Sequence, residues 1–529
     1  MEILSKNEPS PRLFGRRGFL TGAGAALLHT ALAPIAAPRA AAAQSFGGYP
    51  FTLGVASGDP TPDGVVLWTR LAPDPLNGGG MPQRPVIVEW EIALDDRMRH
   101  VIRRGAAWAL HELGHSVHVE VSGLQPSRWY WYRFKVGGEA SAIGRTRTAP
   151  PYRFFFPTER LRFAFVSCQH YGQGYYPALR RLSEEDLDFA AHLGDYIYEG
   201  PSTAVRTHLP AQEIFTVEDY RIRHAQYKTD PALQAVHAAF PWIVTWDDHE
   251  TENDYAGFAP ENPADAAAFA ERRARAYQVY YEHMPLRAAQ FPVGPYLHLF
   301  RRLIFGNLLQ VNVLDTRQYR SHRAPAGCMA EERVDGYCPE ALDPSRTIEG
   351  EFQQKWLIDG LARSTASWNV LANQVPFAPN DTNSDPAIRN FGGEKWDGYP
   401  ADRQKILDFL AARKQTNTIV ITGDVHQNFV RNVPPDHIRL DAEPVATEFV
   451  GTSVSSGGDR TIMTTFGGNA NNPHLRFQDN HHGYVRCTVT SKAFQADYRV
   501  VPTVLSEDAP ISTLASFVVE KGKAGAQQA

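Results

Sequence analysis

Leu187-Asp188-Phe189-Ala190-Ala191-His192-Leu193-Gly194-Asp195 is a short, mostly apolar run that stops at a glycine and a carboxylate. Such a run, bounded by a turn signal, predicts a strand buried on both faces, as in a parallel sheet covered by helices. The pattern recurs in Phe163-Ala164-Phe165-Val166-Ser167-Cys168 and in Trp242-Ile243-Val244-Thr245-Trp246-Asp247-Asp248. It recurs again from Leu308 to Asp315, from Trp368 to Asn373 and from Thr418 to Asp424. Between these runs, Ala264 to Tyr281 and Glu349 to Ala362 carry apolar residues near helical spacing. The alternation predicts an α/β domain with largely parallel strands, and ligands of such sheets gather beyond the carboxyl ends of the strands. At least five of the ends carry a side chain able to bind a metal ion. A single carboxylate there is as readily an N-cap for the next helix. Six ends converging on one edge are much harder to explain as capping.

Upstream, residues 46–148 read as short strands with frequent turns. Val65-Val66-Leu67-Trp68, Val86 to Trp90 and Ser116 to Val121 are β-rich and bounded by Gly, Pro or Asp. Gly123-Leu124-Gln125-Pro126 before Trp129-Tyr130-Trp131-Tyr132-Arg133-Phe134 matches the tyrosine-corner entry to a strand of an immunoglobulin- or fibronectin-like sandwich. The expected organisation is a small all-β domain without chemistry at 44–150 and a catalytic domain at 151–520. Downstream, Glu448 to Ser456, Tyr484 to Thr490 and Phe494 to Val501 predict further strands of a second sheet. The small, polar stretch 521–529 is expected to be a disordered tail.

Residues 1–43 read as a targeting segment. Arg16-Arg17-Gly18-Phe19-Leu20 precedes a small-residue apolar stretch and an alanine run near Ala41-Ala42-Ala43. This resembles a twin-arginine export signal, which implies passage through the twin-arginine machinery and a periplasmic or secreted protein. No later segment supplies about 18 uninterrupted apolar residues, so no membrane anchor is expected after signal removal. The formal charge of −5 offers no basic field for nucleic acid, and no repeat of solenoid or propeller period is present. Of the 4 cysteines, Cys328 and Cys338 are spaced for a small closed loop that a disulfide could close in an oxidising compartment, and the sequence leaves open whether it does. Cys487 falls in an alternating run and reads as a buried strand residue.

Five motifs occur in order: Ser167-Cys168-Gln169, His192-Leu193-Gly194-Asp195-Tyr196-Ile197-Tyr198-Glu199, Thr245-Trp246-Asp247-Asp248-His249-Glu250, Leu314-Asp315-Thr316-Arg317 and Thr422-Gly423-Asp424-Val425-His426-Gln427-Asn428. Together with Gly54 to Pro60 and Leu67-Trp68-Thr69-Arg70 they resemble the PhoD-type alkaline phosphatases, relatives of the purple acid phosphatases. The resemblance implies a metallophosphoesterase sandwich of two sheets flanked by helices, with phosphomonoesterase and phosphodiesterase activity. It also implies ferric iron paired with calcium. Two cations about 3.5–4 Å apart neutralise phosphoryl oxygens and activate a water for in-line attack. The expected nucleophile is therefore a metal-activated hydroxide and not a side chain.

The candidate ligands are Cys168, Asp195, Tyr198, Asp248, Asn373, Asp424 and His426. Thiolate, phenolate and carboxylate are anionic donors that suit a trivalent ion better than zinc. Asp195 is the expected bridge, and Tyr198 reaches the iron from three residues on. Asp248 stands where the wider superfamily has Asn, and Asp424 where it has His; both changes toward hard oxygen favour calcium at the second position. His426 would complete the iron shell, and Asn373 could add an oxygen to the calcium. His170 is expected beside the ligands, not among them. His249 resembles the superfamily histidine that contacts phosphate or protonates the leaving group. Arg317 could bind a phosphoryl oxygen, or form a salt bridge to a nearby carboxylate. Alternatives to the phosphatase reading are a phospholipase-D-type lipid phosphodiesterase and an inactive secreted binding protein of the same fold.

Overall fold

The computed structural model describes residues 46–529, apart from 153–156, 324–327, 384, 386, 415–416, 461–463, 467–469 and 524. The expected export signal, 1–43, lies outside the described residues. The six apolar runs form strands at Arg160–Val166, Phe189–His192, Pro241–Val244, Leu309–Val313, Trp368–Ala372 and Thr418–Thr422. They divide equally between two sheets. The first three are parallel neighbours in a 10-stranded sheet, with Ala190 aligned to Ala164 on one side and to Trp242 on the other. The last three are parallel neighbours in an 8-stranded sheet, Val311 aligning with Val370 and Val370 with Ile419.

Side-chain alternation explains why these runs are apolar throughout. Phe163, Phe165, Phe189, Ala191 and Ile243 point inward to meet Val311, Val313, Val370, Ile419 and Ile421 of the opposite sheet. The intervening Val166, Ala190, Trp242 and Val244 face outward against helices, among them Ala266–His283. On the far side Leu371 and Val420 pack on the helices Gly350–Arg363 and Pro400–Arg413. The molecule is thus a helix–sheet–sheet–helix sandwich. With strands of one register in each sheet, all six carboxyl ends emerge on one edge.

The N-terminal segment is all β, and Tyr130 makes the anticipated corner, its hydroxyl accepting from the Gln125 backbone N–H at 2.8 Å. One of its own sheets, built on Val86–Ala93, Val101–Ala109 and Trp129–Val136, packs against Val65, Leu67, Val117 and Val119. The strand Val55–Thr61, however, runs parallel to Pro241–Val244 inside the 10-stranded sheet. The N-terminal segment therefore shares a sheet with strands that carry candidate ligands. Asp59 seals the joint by a two-pronged ion pair with Arg301, at 2.7 and 2.8 Å.

Two other points concern the chain ends and cysteines. The tail expected to be disordered instead adds an edge strand, Gln527–Gln528, to Ser512–Glu520, with Phe517 aligned to Gln528. Backbone pairing and the burial of Ala526 hold it, and polarity alone cannot reveal an available sheet edge. Cys328 and Cys338 are joined by a disulfide, and Cys487 is fully buried in its strand. Among the described residues, no helix is long and apolar enough to cross a membrane.

Candidate active site

Three of the six strands, Arg160–Val166, Phe189–His192 and Thr418–Thr422, run into turns that are backbone-strained. Cys168, Asp195, Asp424 and His426 have φ of 59°, 56°, 69° and 54°, in the left-handed region that residues with a Cβ rarely occupy. Strain of this kind persists only where surrounding structure over-determines it, and it clusters at functional sites. Two glycines make the convergence possible. A Cβ on Gly194 would lie 2.5 Å from the Cβ of Asp247, and one on Gly423 would lie 2.2 Å from Ser167 Oγ. Gly194 thus lets the Asp195 turn touch the Asp247–Asp248 turn, and Gly423 lets one sheet approach the other.

The result is two groups of donor atoms with one common member. Cys168, Asp195 and His426 present ligand atoms that all lie within 4.8 Å of one another, and so do Asp195, Asp248 and His249. Tyr198 joins the first group, its hydroxyl donating to Asp195 Oδ2 at 2.9 Å and lying 3.3 Å from His426 Nε2. Asp424 sits beside the second group, and Asn373 keeps its side-chain Oδ1 buried without a hydrogen-bond partner while its Nδ2 donates to Val375 O. Asp195 Oδ1 is likewise buried and unpartnered. Orphaned buried acceptors of this kind call for a cation or water. The His170 ring lies 4.4 Å from that of Tyr198, beside the candidate ligands.

Electrostatics point the same way. Burial pushes the pKa values of Cys168, Asp195 and Tyr198 well above their ordinary values, and neighbouring acids push them further. Three acids crowded out of water need positive charge to be ionised together. The donor chemistry fits two adjacent cations, one facing sulfur, phenol, imidazole and carboxylate, the other facing mainly oxygen. Asp248 differs from its neighbours. Burial would raise its pKa, but Arg317, His249 and the Asp254 backbone N–H hold it below the usual carboxylate range.

His249 is oriented by its neighbour Glu199, whose Oε2 lies 2.8 Å from Nδ1, while Oε1 accepts from the Asn253 backbone at 2.7 Å. Nε2 is left to face the site. Burial disfavours the imidazolium, yet Glu199, Asp248 and Asp195 outweigh it and hold the pKa well above the histidine norm. Arg317 is fully buried, and its Nε donates to Asp247 Oδ1. Asp315, two residues earlier, meets Arg317 only through the Arg317 backbone N–H, at 3.1 Å.

Residues 163–498 match the family model of the PhoD-like phosphatases, and residues 36–150 match that of the PhoD-like phosphatase N-terminal domain. Alkaline phosphatase D of Bacillus subtilis (strain 168) is 48% identical over 530 residues, covering 97% of this chain and 88% of that protein.

The chain belongs to the PhoD-like phosphatase family. It is a hydrolase of phosphoric esters. A solved structure of PhoD superposes with a TM-score of 0.86 at 48% identity, covering 92% of this chain and 93% of the other. A purple acid phosphatase from yellow lupin (Lupinus luteus) seeds has the same general fold, with a TM-score of 0.50 at 12% identity over 90% of this chain and 75% of that one.

Several residues around this PhoD-like site escaped the sequence reading. Glu250 accepts backbone N–H groups from Asp195, Tyr196 and Asp247 at 3.2, 2.6 and 2.8 Å, tying together two turns that bear candidate ligands. Burial lifts its pKa to about 7 in spite of those donors. Ser456 Oγ lies 2.6 Å from Cys168 O and 2.7 Å from the Tyr198 hydroxyl. Arg460 holds His426 O at 3.0 Å. Lys395 Nζ lies 2.6 Å from Asp424 Oδ2, and Glu394 faces Arg317. Glu199 and Glu250 do stand inside quoted motifs, where the density of carboxylates around one histidine was the available signal. Ser456, Arg460, Glu394 and Lys395 arrive from distant segments and give no local sign.

Proposed function

We propose that this chain is an exported phosphomonoesterase and phosphodiesterase working at a two-cation centre. Cys168, Asp195, Tyr198 and His426 would hold a ferric ion, and Asp195, Asp248, Asn373 and Asp424 would hold calcium. The observation that carries the reading is the pair of largely buried donor groups sharing Asp195, namely Cys168–Asp195–His426 and Asp195–Asp248–His249, each within a 4.8 Å span. Bound cations would neutralise the phosphoryl oxygens and activate the attacking water. The protein's own part is to orient and to move protons. His249, locked by Glu199 at Nδ1 and held in its protonated form, presents Nε2 to the leaving-group oxygen as general acid. Arg317 brings fixed positive charge beside Asp248 and Asp424, at 3.6 and 3.9 Å, where the phosphoryl group would lie. The sharing of one carboxylate between a set with thiol and phenol and a second set of mainly oxygen donors supports unlike metals over a pair of zinc ions. Export rests on Arg16-Arg17 and the apolar stretch after it.

Metal analysis of the purified protein is expected to return iron and calcium, with visible absorption from a ferric–phenolate bond. Tyr198→Phe should abolish that absorption while leaving calcium bound; zinc alone, or an unchanged spectrum, would sink the assignment. Turnover of a phosphomonoester beside a phosphodiester measures the balance of the two activities. Retention of an Arg16→Lys, Arg17→Lys double variant inside the cell checks the export route.

A further inference from the structure

Arg317 and Arg320 come from one turn, Thr316-Arg317-Gln318-Tyr319-Arg320, and each is anchored through Nε alone. Arg317 Nε donates to Asp247 Oδ1, and Arg320 Nε donates to Thr316 O at 2.7 Å. Both terminal nitrogens of both guanidiniums are buried and have no hydrogen-bond partner among the described residues. Leaving such donors unmatched is costly, and a fork of this kind is the geometry that grips a carboxylate or phosphate through paired N–H groups. One carboxylate faces both guanidiniums. Glu394 Oε1 lies 3.6 Å from Arg317 Nη2 and 3.7 Å from Arg320 Nη1, close enough for attraction but beyond hydrogen-bond range. That oxygen is also unpartnered by hydrogen bonds. The carboxylate thus covers the fork without engaging it, and its side chain is 28% exposed on the solvent side.

The turn that carries Glu394 is under strain. Lys395 has φ 51° and ψ −163°, a region that is essentially glycine territory, and Gly392-Gly393 precede it. Lys395 ties the turn down through Asp424. Arg317 Nη2 is also 3.6 Å from Asp248 and 3.9 Å from Asp424, so the fork abuts the carboxylates proposed to hold the second cation.

We propose that Arg317 and Arg320 form a phosphoryl-oxyanion subsite which Glu394 covers and vacates when substrate or product binds. The proposal rests on the phosphate-ester reading above and adds Arg320 as a binding residue and Glu394 as its displaceable cover. Glu394 then sets a penalty on phosphate binding, which weakens retention of the product.

The test is titration of inorganic phosphate into full-length protein by calorimetry, with phosphate inhibition of turnover measured in parallel. Glu394→Gln, a change at a part-exposed side chain, should tighten phosphate binding on the order of tenfold by freeing the fork. Inhibition should be competitive, raising KM with kcat unchanged. In an Arg320→Lys background, which keeps the charge but loses the fork, the gain from Glu394→Gln should disappear. Unchanged or weaker phosphate binding in Glu394→Gln would overturn the proposal, as would a gain that persists with Arg320→Lys. Inhibition that lowers kcat at constant KM would overturn the assignment to the substrate's own phosphoryl group. The parent–variant comparison is repeated after chelation. Absence of metal from the purified parent, or hydrolysis unchanged by chelation, would sink the two-cation reading but leave the difference between parent and Glu394→Gln in place.

Discussion

The carboxylate of Glu250 accepts from three backbone amides in two turns, although it approaches the site only through its neighbours. Its side chain is what holds Asp195 at a fixed distance from Asp248, against the strain of a left-handed turn. A glutamine there offers one acceptor oxygen in place of two and places an N–H₂ group against N–H donors. Glu250→Gln should therefore lower metal affinity and kcat/KM together by about 10–100-fold, the usual cost of losing a partner that orients ligands. Metal titration and steady-state kinetics check this, and a fold-intact variant with unchanged metal affinity would contradict it. The candidate ligands Cys168, Asp195, Asp248, Asn373 and Asp424 were legible in the sequence because each closes an apolar run. Glu250 was not, because a buried glutamate that serves backbone amides looks in sequence like any acidic residue after a histidine.

At the scale of the element, the strands were easier to read than their partners. Buried parallel strands announce themselves by unbroken hydrophobicity, so all six were found near their true ends. Their distribution over two sheets was not visible, since a run apolar on both faces carries no mark of which sheet it joins. The same limit applied to Val55–Thr61, which reads as part of a small β unit but pairs with Pro241–Val244. That pairing makes a prediction. A chain beginning at Pro151 would expose the edge of Pro241–Val244 and orphan Arg301 from Asp59, and an exposed apolar strand edge aggregates. Expressed separately, 46–150 and 151–529 should each fail to give a soluble monomer with a cooperative unfolding transition. Chromatography and thermal melts of the two pieces, alone and together, provide the measurement.

For the molecule as a whole, an unusual cost is buried near the helices. Lys228 is fully enclosed, with Nζ donating to the Tyr196 hydroxyl at 3.1 Å and lying 4.3 Å from the Trp68 ring. No carboxylate hydrogen-bonds or ion-pairs with it among the described residues, and burial lowers its pKa to about 7. The unfolded chain keeps this proton to about pH 10.4. Between those values the unfolded state binds more protons than the folded one, so stability rises with pH, and it is lost as pH falls toward 7. Lys228→Met should remove this dependence. Melting temperatures of the parent should climb relative to the variant from pH 7 to pH 9, with the variant the more stable at pH 7. A parallel pair of curves would rule out a neutral buried lysine.

The sequence by itself determined the strands, their order, the catalytic family and the donor residues at the strand ends. Those follow from local rules: hydrophobic runs of strand length, turns after them, and side chains whose chemistry is independent of neighbours. The tertiary structure decided which turns touch, that Asp195 belongs to both donor groups, that Glu199 orients His249, and that Arg317 spends its Nε on Asp247. Such choices depend on close approach between segments far apart in the chain, made possible at Gly194 and Gly423. No window of sequence contains that information, because the distances are set only when two sheets pack face to face.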